Sequence, residues 1–155
     1  MVSQPIDETH RVDLHGNTRP EVRPQNDRGR VADGFPMEHM LLQLRRPPEL
    51  EQALQQFIDE LHTSGSPNFH NWLTAAEFGA RFGPAEQDVA TVANWLQSYG
   101  LKVNVIYPSD MVIDFSGTAG QVRNAFQTDI HHLEVKGAKH IANTSDPSIP
   151  ASLAP

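Results

Sequence analysis

Residues 101–115, LKVNVIYPSDMVIDF, hold two runs in which apolar residues fall on every second position: Leu101, Val103, Val105 and Tyr107, then Met111, Ile113 and Phe115. Period-two alternation is the pattern of a strand with one face on a core. The intervening PSD is turn chemistry, so the pair reads as a β-hairpin. Any fold for this chain must accommodate that hairpin, and the flanking sequence narrows the choice.

Upstream, Met40, Leu42 and Leu44 alternate through MEHMLLQLR, a strand that Pro47 and Pro48 must stop. Pro48 then suits the first turn of a helix. Leu50, Ala53, Leu54, Phe57, Ile58 and Leu61 recur at three and four residues, an amphipathic stripe with Gly65 as terminator. Thr74 followed by Glu77 has capping-box spacing for a short helix fading at Gly83, and Pro84 opens another, with Val89, Val92, Ala93 and Leu96 on one face and Gly100 closing it. Downstream of the hairpin, Thr118 and Gln121 form a second capping-box pair for a helix carrying Ala119, Val122 and Phe126. Strand-like TDIHHLEV, a KGAK turn and a short HIAN strand follow. The order is strand, helices, strand, strand, helix, strand. That is an α+β, ferredoxin-like split β-α-β arrangement: an antiparallel sheet, helices on one face, and a helical insertion in the first crossover.

Residues 1–36 show no apolar periodicity and carry many charges, prolines and glycines, and are expected to be an extended or partly disordered leader. Residues 37–143 form the expected domain. The balance of 12 Lys and Arg against 19 Asp and Glu, a formal charge of −7, opposes nucleic acid as a partner. No apolar run approaches the roughly 20 residues that cross a bilayer, so no membrane partner is expected, and no signal peptide is visible at the start. Zero cysteines exclude disulfides and thiolate chemistry.

Catalytic readings fare poorly. His70 sits in SPNFHNWLTAAEFGARFGP beside Phe69 and Trp72, but no serine has a nucleophile context, and Trp72, Phe78 and Phe82 read as packing residues. His131 and His132 are neighbours on a strand and point to opposite faces, which disfavours a shared metal with His140. SGTAG, residues 116–120, lacks the spacing and lysine of a phosphate loop and reads as a helix cap, while the prolines of RRPPE remove the amide donors of an anion cradle. The expected first strand displays no aromatics for stacking RNA bases. No catalytic residue, metal site or cofactor is expected.

The runs SPNFHNWLTAAEFGARFGP, VANWLQSYGLKV, IDFSGTAGQVRNAFQTDIHHLEVKGAKHIAN and PSIPASL together resemble the prokumamolisin-type activation domain, the N-terminal propeptide of the sedolisins, which are serine-carboxyl peptidases. The resemblance covers about Met37 to Leu153. It implies a prodomain shaped like subtilisin propeptides that assists folding of the peptidase, blocks its cleft and is removed at acid pH. The partner implied is a sedolisin catalytic domain, in a secreted or extracytoplasmic setting. The family's catalytic serine, glutamate and aspartate belong to the mature domain, so the chain is expected to be non-catalytic by itself. On this resemblance residues 144–155 look like the start of a proline-containing tether toward a peptidase domain that this chain does not contain. A free-standing propeptide-like inhibitor is the alternative.

Two expectations follow for specific residues. If Met40, Leu42, Leu44, Val103, Val105, Ile113 and Phe115 face the core, alternation places Leu41, Gln43, Asn104, Ile106, Val112 and Asp114 on the opposite sheet face, where the peptidase would dock. Acid release would draw on groups that titrate between pH 7 and about 3, with Asp114 on that face and His70, taken as buried among aromatics, as the pH-sensitive candidates.

Overall fold

The computed structural model describes residues 6–154. In chain order the elements are β1 (Arg11–Asp13), β2 (Asp27–Arg30), β3 (Pro36–Gln43), α1 (Pro48–His62), α2 (Ala75–Phe82), α3 (Glu86–Ser98), β4 (Lys102–Ile106), β5 (Val112–Thr118), α4 (Ala119–Phe126), β6 (Ile130–Val135), β7 (Ala138–Asn143) and β8 (Ser148–Pro150). The class is α+β with antiparallel strand pairing throughout. Local chemistry sets the helix starts. In α2 the Thr74 hydroxyl accepts from the Glu77 amide and the Glu77 carboxylate accepts from the Thr74 amide; Thr118 and Gln121 repeat the exchange at α4. These pairs satisfy donors that a helix N-terminus otherwise leaves open.

The hairpin β4–β5 forms, and β3 pairs with the other edge of β5 to give the order β3-β5-β4. One face of this sheet is closed by α3 and α4: Val89, Val92, Trp95, Leu96, Val122 and Phe126 pack with Ile113 and Phe115. Leu96 and Ile113 are wholly excluded from solvent.

Three features depart from the pattern read in the sequence. First, β6 does not join β3. It lies between β2 and β7, pairing Asp27 with Leu133 and Arg30 with His131, and the Val31 amide donates to the Ile130 carbonyl at 3.0 Å. The sheet is therefore divided, because leader residues occupy an edge of β6, and Val31 fills part of the core.

Second, the helix packed on the sheet in the first crossover is α3. The stripe of α1 turns instead to α2, where Phe57, Leu61 and Phe82 make a separate small core with Leu54, Leu73 and Phe78. The Arg81 guanidinium lies 4.2 Å above the Phe57 ring and caps this cluster. Gly79 lets α2 press on the β4–β5 turn; a Cβ there would stand 2.7 Å from the Pro108 carbonyl oxygen.

Third, the two ends of the chain are structured together. β1 pairs with β8, aligning Arg11 with Pro150 and Asp13 with Ser148, and Ser148, Ile149 and Pro150 are buried. Residues 144–155 thus begin as part of the fold, and residues 1–36 contribute β1 and β2.

Candidate docking face

The face of β3-β5-β4 away from α3 and α4 is set by strand register, since residues directly opposite in an antiparallel pair share a face. Leu41 stands opposite Asp114, and Gln43 opposite Val112. Leu42 stands opposite the buried Ile113, which leaves Leu41, Gln43, Val112 and Asp114 on the open side.

Two β-bulges interrupt the alternation. In β4 the register passes from Val103 opposite Phe115 to Val105 opposite Asp114, so Asn104 and Val105 both confront Asp114. An extra residue reverses the facing of everything after it. By register Val105, expected in the core, is therefore turned to the open face, and Ile106, expected on that face, stands opposite Ile113; in this edge strand both remain partly open, 41% and 38% exposed. In β3 the register passes from Met37 opposite Gly117 to Met40 opposite Phe115, leaving Glu38 and His39 against Ser116. His39 takes a φ of 53°, the left-handed geometry that such a bulge can impose.

The bulges bring a polar cluster to the centre of the face. Asp114 is only 6% exposed. One of its oxygens accepts from Asn104 Nδ2 at 2.8 Å, and the other lies 2.9 Å from His39 Nδ1. Asn104 also reaches the Ser116 hydroxyl at 2.7 Å, and that hydroxyl accepts from the His39 amide at 3.1 Å. The Asn104 hydrogen bond first, and the His39 bond next, hold the Asp114 carboxyl below its usual range; the bond to Asp114, then its charge, raises His39. The shifts run in opposite directions, down for Asp114 and up for His39, and both favour the charged form, as in an ion pair. Around it stand Leu41, 64% exposed, with Val105 and the half-buried Val112. A mixed surface with a satisfied polar centre and exposed aliphatic side chains can meet another protein without leaving buried charge unpaired.

His70 has no part in this cluster. It lies between α1 and α2, exposed, at a φ of 58°, with its amide donating to the Leu61 carbonyl. Its ring stacks on Phe69 at 3.8 Å and faces Trp72 at 6.4 Å. The expectation of a buried histidine fails because Trp72 itself is 63% exposed and Phe69 is also open; within the aromatic run, Phe82 is fully packed and Phe78 is half-buried against it. His39 was missed by sequence reasoning, although a signal exists: apolar Met37 and Met40 are three apart while Met40, Leu42 and Leu44 are two apart, the spacing of an inserted residue. Of the other histidines considered, His131 pairs with Asp27 at 2.9 Å and His140 is exposed on β7. Among the described residues no group of three His, Asp or Glu side chains could hold a metal ion, and no helix is long and apolar enough to cross a membrane.

Residues 26–155, which include all of β3, β4 and β5, match the family described as "Pro-kumamolisin, activation domain". The chain belongs to this family. The activation domain begins within the segment assigned to the leader, and it takes in β2 while leaving β1 outside. Among similar proteins, xanthomonalisin from Xanthomonas sp. (strain T-22) is 37% identical over 112 residues, 72% of this chain and 13% of the relative. Sedolisin from Pseudomonas sp. (strain 101) is 28% identical over 116 residues, 74% of this chain and 19% of the relative. Aorsin from Aspergillus oryzae is 30% identical over 97 residues, 60% of this chain and 15% of the relative. The chain thus corresponds to less than one fifth of the length of each of these relatives.

Proposed function

We propose that this chain acts as the N-terminal propeptide of a sedolisin-type serine peptidase. In this role it helps the peptidase fold, occupies it as a transient inhibitor, and is removed by acid-triggered processing. The chain is itself non-catalytic, its partner is the catalytic domain, and its setting is extracytoplasmic. The observation that carries the reading is the open face of β3-β5-β4, which lies within the residues matched to the activation domain and whose opposite side is closed by α3 and α4. Leu41, Gln43, Asn104, Val105, Val112 and Asp114 form the docking surface.

Acid acts on this surface through Asp114. Its carboxylate is the acceptor that joins β3, β5 and β4 through His39 and Asn104. Because Asp114 is held below its usual range and His39 is raised, the pair stays charged through mildly acid pH, and protonation of Asp114 removes the ion pair with His39 only toward the acid end of the range. The test is inhibition of a sedolisin-type peptidase by the full chain from pH 7 to 3, with the yield of refolded peptidase measured beside it. Inhibition at pH 7 that weakens toward pH 3, with a higher refolding yield, is the expected result. No inhibition at any pH and no effect on refolding would refute the function; inhibition equally tight at pH 3 and pH 7 would refute acid release alone.

A further inference from the structure

β1 lies ahead of the residues matched to the activation domain, and among the described residues it has no ladder partner except β8. A ladder of three residues is too short to hold two chain segments by its backbone bonds alone. Side chains reinforce it at both ends.

At one end is Arg11, whose side chain is only 9% exposed. Its guanidinium donates to the carbonyl of Ser148 at 2.7 Å, to the Ser148 hydroxyl at 3.1 Å, to the carbonyl of Ala125 in the last turn of α4, and to the Glu8 carboxylate. Glu8 in turn accepts from the indole N–H of Trp95 at 2.9 Å, and Trp95 is a core residue of α3. One mostly buried cation therefore joins the leader, the tail and α4, and through Glu8 it is tied to α3. The planar fork of arginine makes this set of bonds possible where a lysine could not.

At the other end is Asp146. It accepts from the amides of Gly16 at 3.1 Å and Asn17 at 3.0 Å and from the Thr18 hydroxyl at 2.7 Å. Asn143 donates to the Asn17 carbonyl at 2.9 Å. Between the two ends the Leu14 amide donates to the Pro147 carbonyl and the Ala151 amide to the His10 carbonyl, each at 2.8 Å. Val12, Leu14 and Ile149 also pack against the core shared with Ile113 and Phe115, so the pairing is anchored on the rest of the fold from one side.

We propose that residues 7–18 are a latch on the chain's own tail, holding residues 146–151 folded and out of reach of a protease until the latch opens. Proteases cut segments that are exposed or locally unfolded, and Ser148, Ile149 and Pro150 are neither while β1 is in place. The latch exists independently of any peptidase. Its consequence rests on the propeptide reading: the latched segment is the stretch on the way to the peptidase, so opening of β1–β8, and not unfolding of the whole domain, sets when cleavage there begins.

The test uses the full chain without a peptidase, so its failure leaves the docking reading untouched. Amide exchange at Leu14 and Ala151 reports on the latch, and exchange at Val31 and Tyr107, bonded to Ile130 and Val112, reports on the rest of the fold. Arg11→Ala is expected to speed exchange at Leu14 and Ala151 about tenfold or more, as loss of charge-assisted hydrogen bonds does, with Val31 and Tyr107 unchanged. Under a broad-specificity protease the first cuts should move into residues 144–154. Asp146→Asn, which removes a carboxylate at the less buried end, should do the same to a smaller degree and serves if Arg11→Ala does not fold. Unchanged exchange at Leu14 and Ala151 in the folded variants would overturn the latch. So would a rise by the same factor at all four amides, because Arg11 would then support the fold as a whole.

Discussion

Leu41 offers the sharpest measure of the docking face, because it is exposed enough to leave the fold alone and central enough to matter on docking. Burying a leucine side chain completely is worth roughly 1.5–3 kcal/mol. The 64% of Leu41 that is still open in the free chain would therefore contribute about 1–2 kcal/mol if a partner covered it. Leu41→Ala should weaken inhibition of a sedolisin-type peptidase roughly 5- to 30-fold at neutral pH. Its urea midpoint should barely move, since exposed substitutions of this kind usually change stability by about 0.5 kcal/mol or less. Val105→Ala should weaken inhibition by a smaller factor. Ile106→Ala, in register with Ile113 but about as open as Val105, should weaken inhibition less than Val105→Ala does and change stability only slightly. An inhibition constant for Leu41→Ala within about twofold of the parent would refute this face as the interface. A larger loss of inhibition from Ile106→Ala than from Val105→Ala would refute the assignment of faces by the β4 bulge.

The His39–Asp114 pair sets a pH window. Asp114 is depressed below 3.8 in the fold, so its contribution is present above that value and lost as pH falls through the lower folded value; His39 is raised above 6.5, so its contribution is complete below 6.5 and lost as pH rises through the higher folded value. The stability advantage of the parent over Asp114→Asn and His39→Gln, measured by urea unfolding, should peak between those two values and shrink on both sides. An advantage that does not change with pH would remove the pair from any acid response. Gly79→Ala should destabilise the chain by about 1–3 kcal/mol, because the added carbon meets backbone atoms of the β4–β5 turn that cannot simply rotate away; thermal unfolding would show it, and an unchanged midpoint would mean that α2 does not press on that turn. Phe82→Ala empties the centre of the small core and should cost about 3–5 kcal/mol in chemical unfolding, whereas Trp72→Ala, at an exposed ring, should cost far less.

Helix starts and the hairpin were legible in the sequence because their causes are local. Thr74 with Glu77 and Thr118 with Gln121 satisfy amides within a single turn, and Pro48 opens α1 with Pro47 as its N-cap by backbone geometry alone. The face carrying Leu41 and Asp114 followed from period two, and the same rule misplaced Ile106 because Leu101, Val103, Val105 and Tyr107 keep their spacing of two across the bulge in β4, whose trace in the sequence is only the adjoining apolar pair Val105 and Ile106. The bulge in β3 did leave a mark, in the spacing of Met37 and Met40. His70 was misplaced for a different reason: an aromatic neighbourhood in sequence does not say which rings the fold covers, and the fold covered Phe82 and left Trp72 open.

By itself the sequence determined the helices, the β4–β5 hairpin and the strands on either side of them, since capping, proline geometry and apolar period act within a few residues of the chain, whereas β1, β2 and β8 carry no such local signal. Only the tertiary structure decided how those elements are shared out. The stripe of α1 could have covered a sheet or another helix, and it covers α2; β6 could have extended β3, and it took β2 instead. These choices are competitions between distant segments for the same apolar surface and the same backbone donors. Arg11 reaching Ser148 across the ends of the chain is the clearest case, for nothing near either residue announces the other. Their outcome depends on which arrangement leaves the fewest groups unpaired throughout the molecule, and that is settled only when the whole chain has packed.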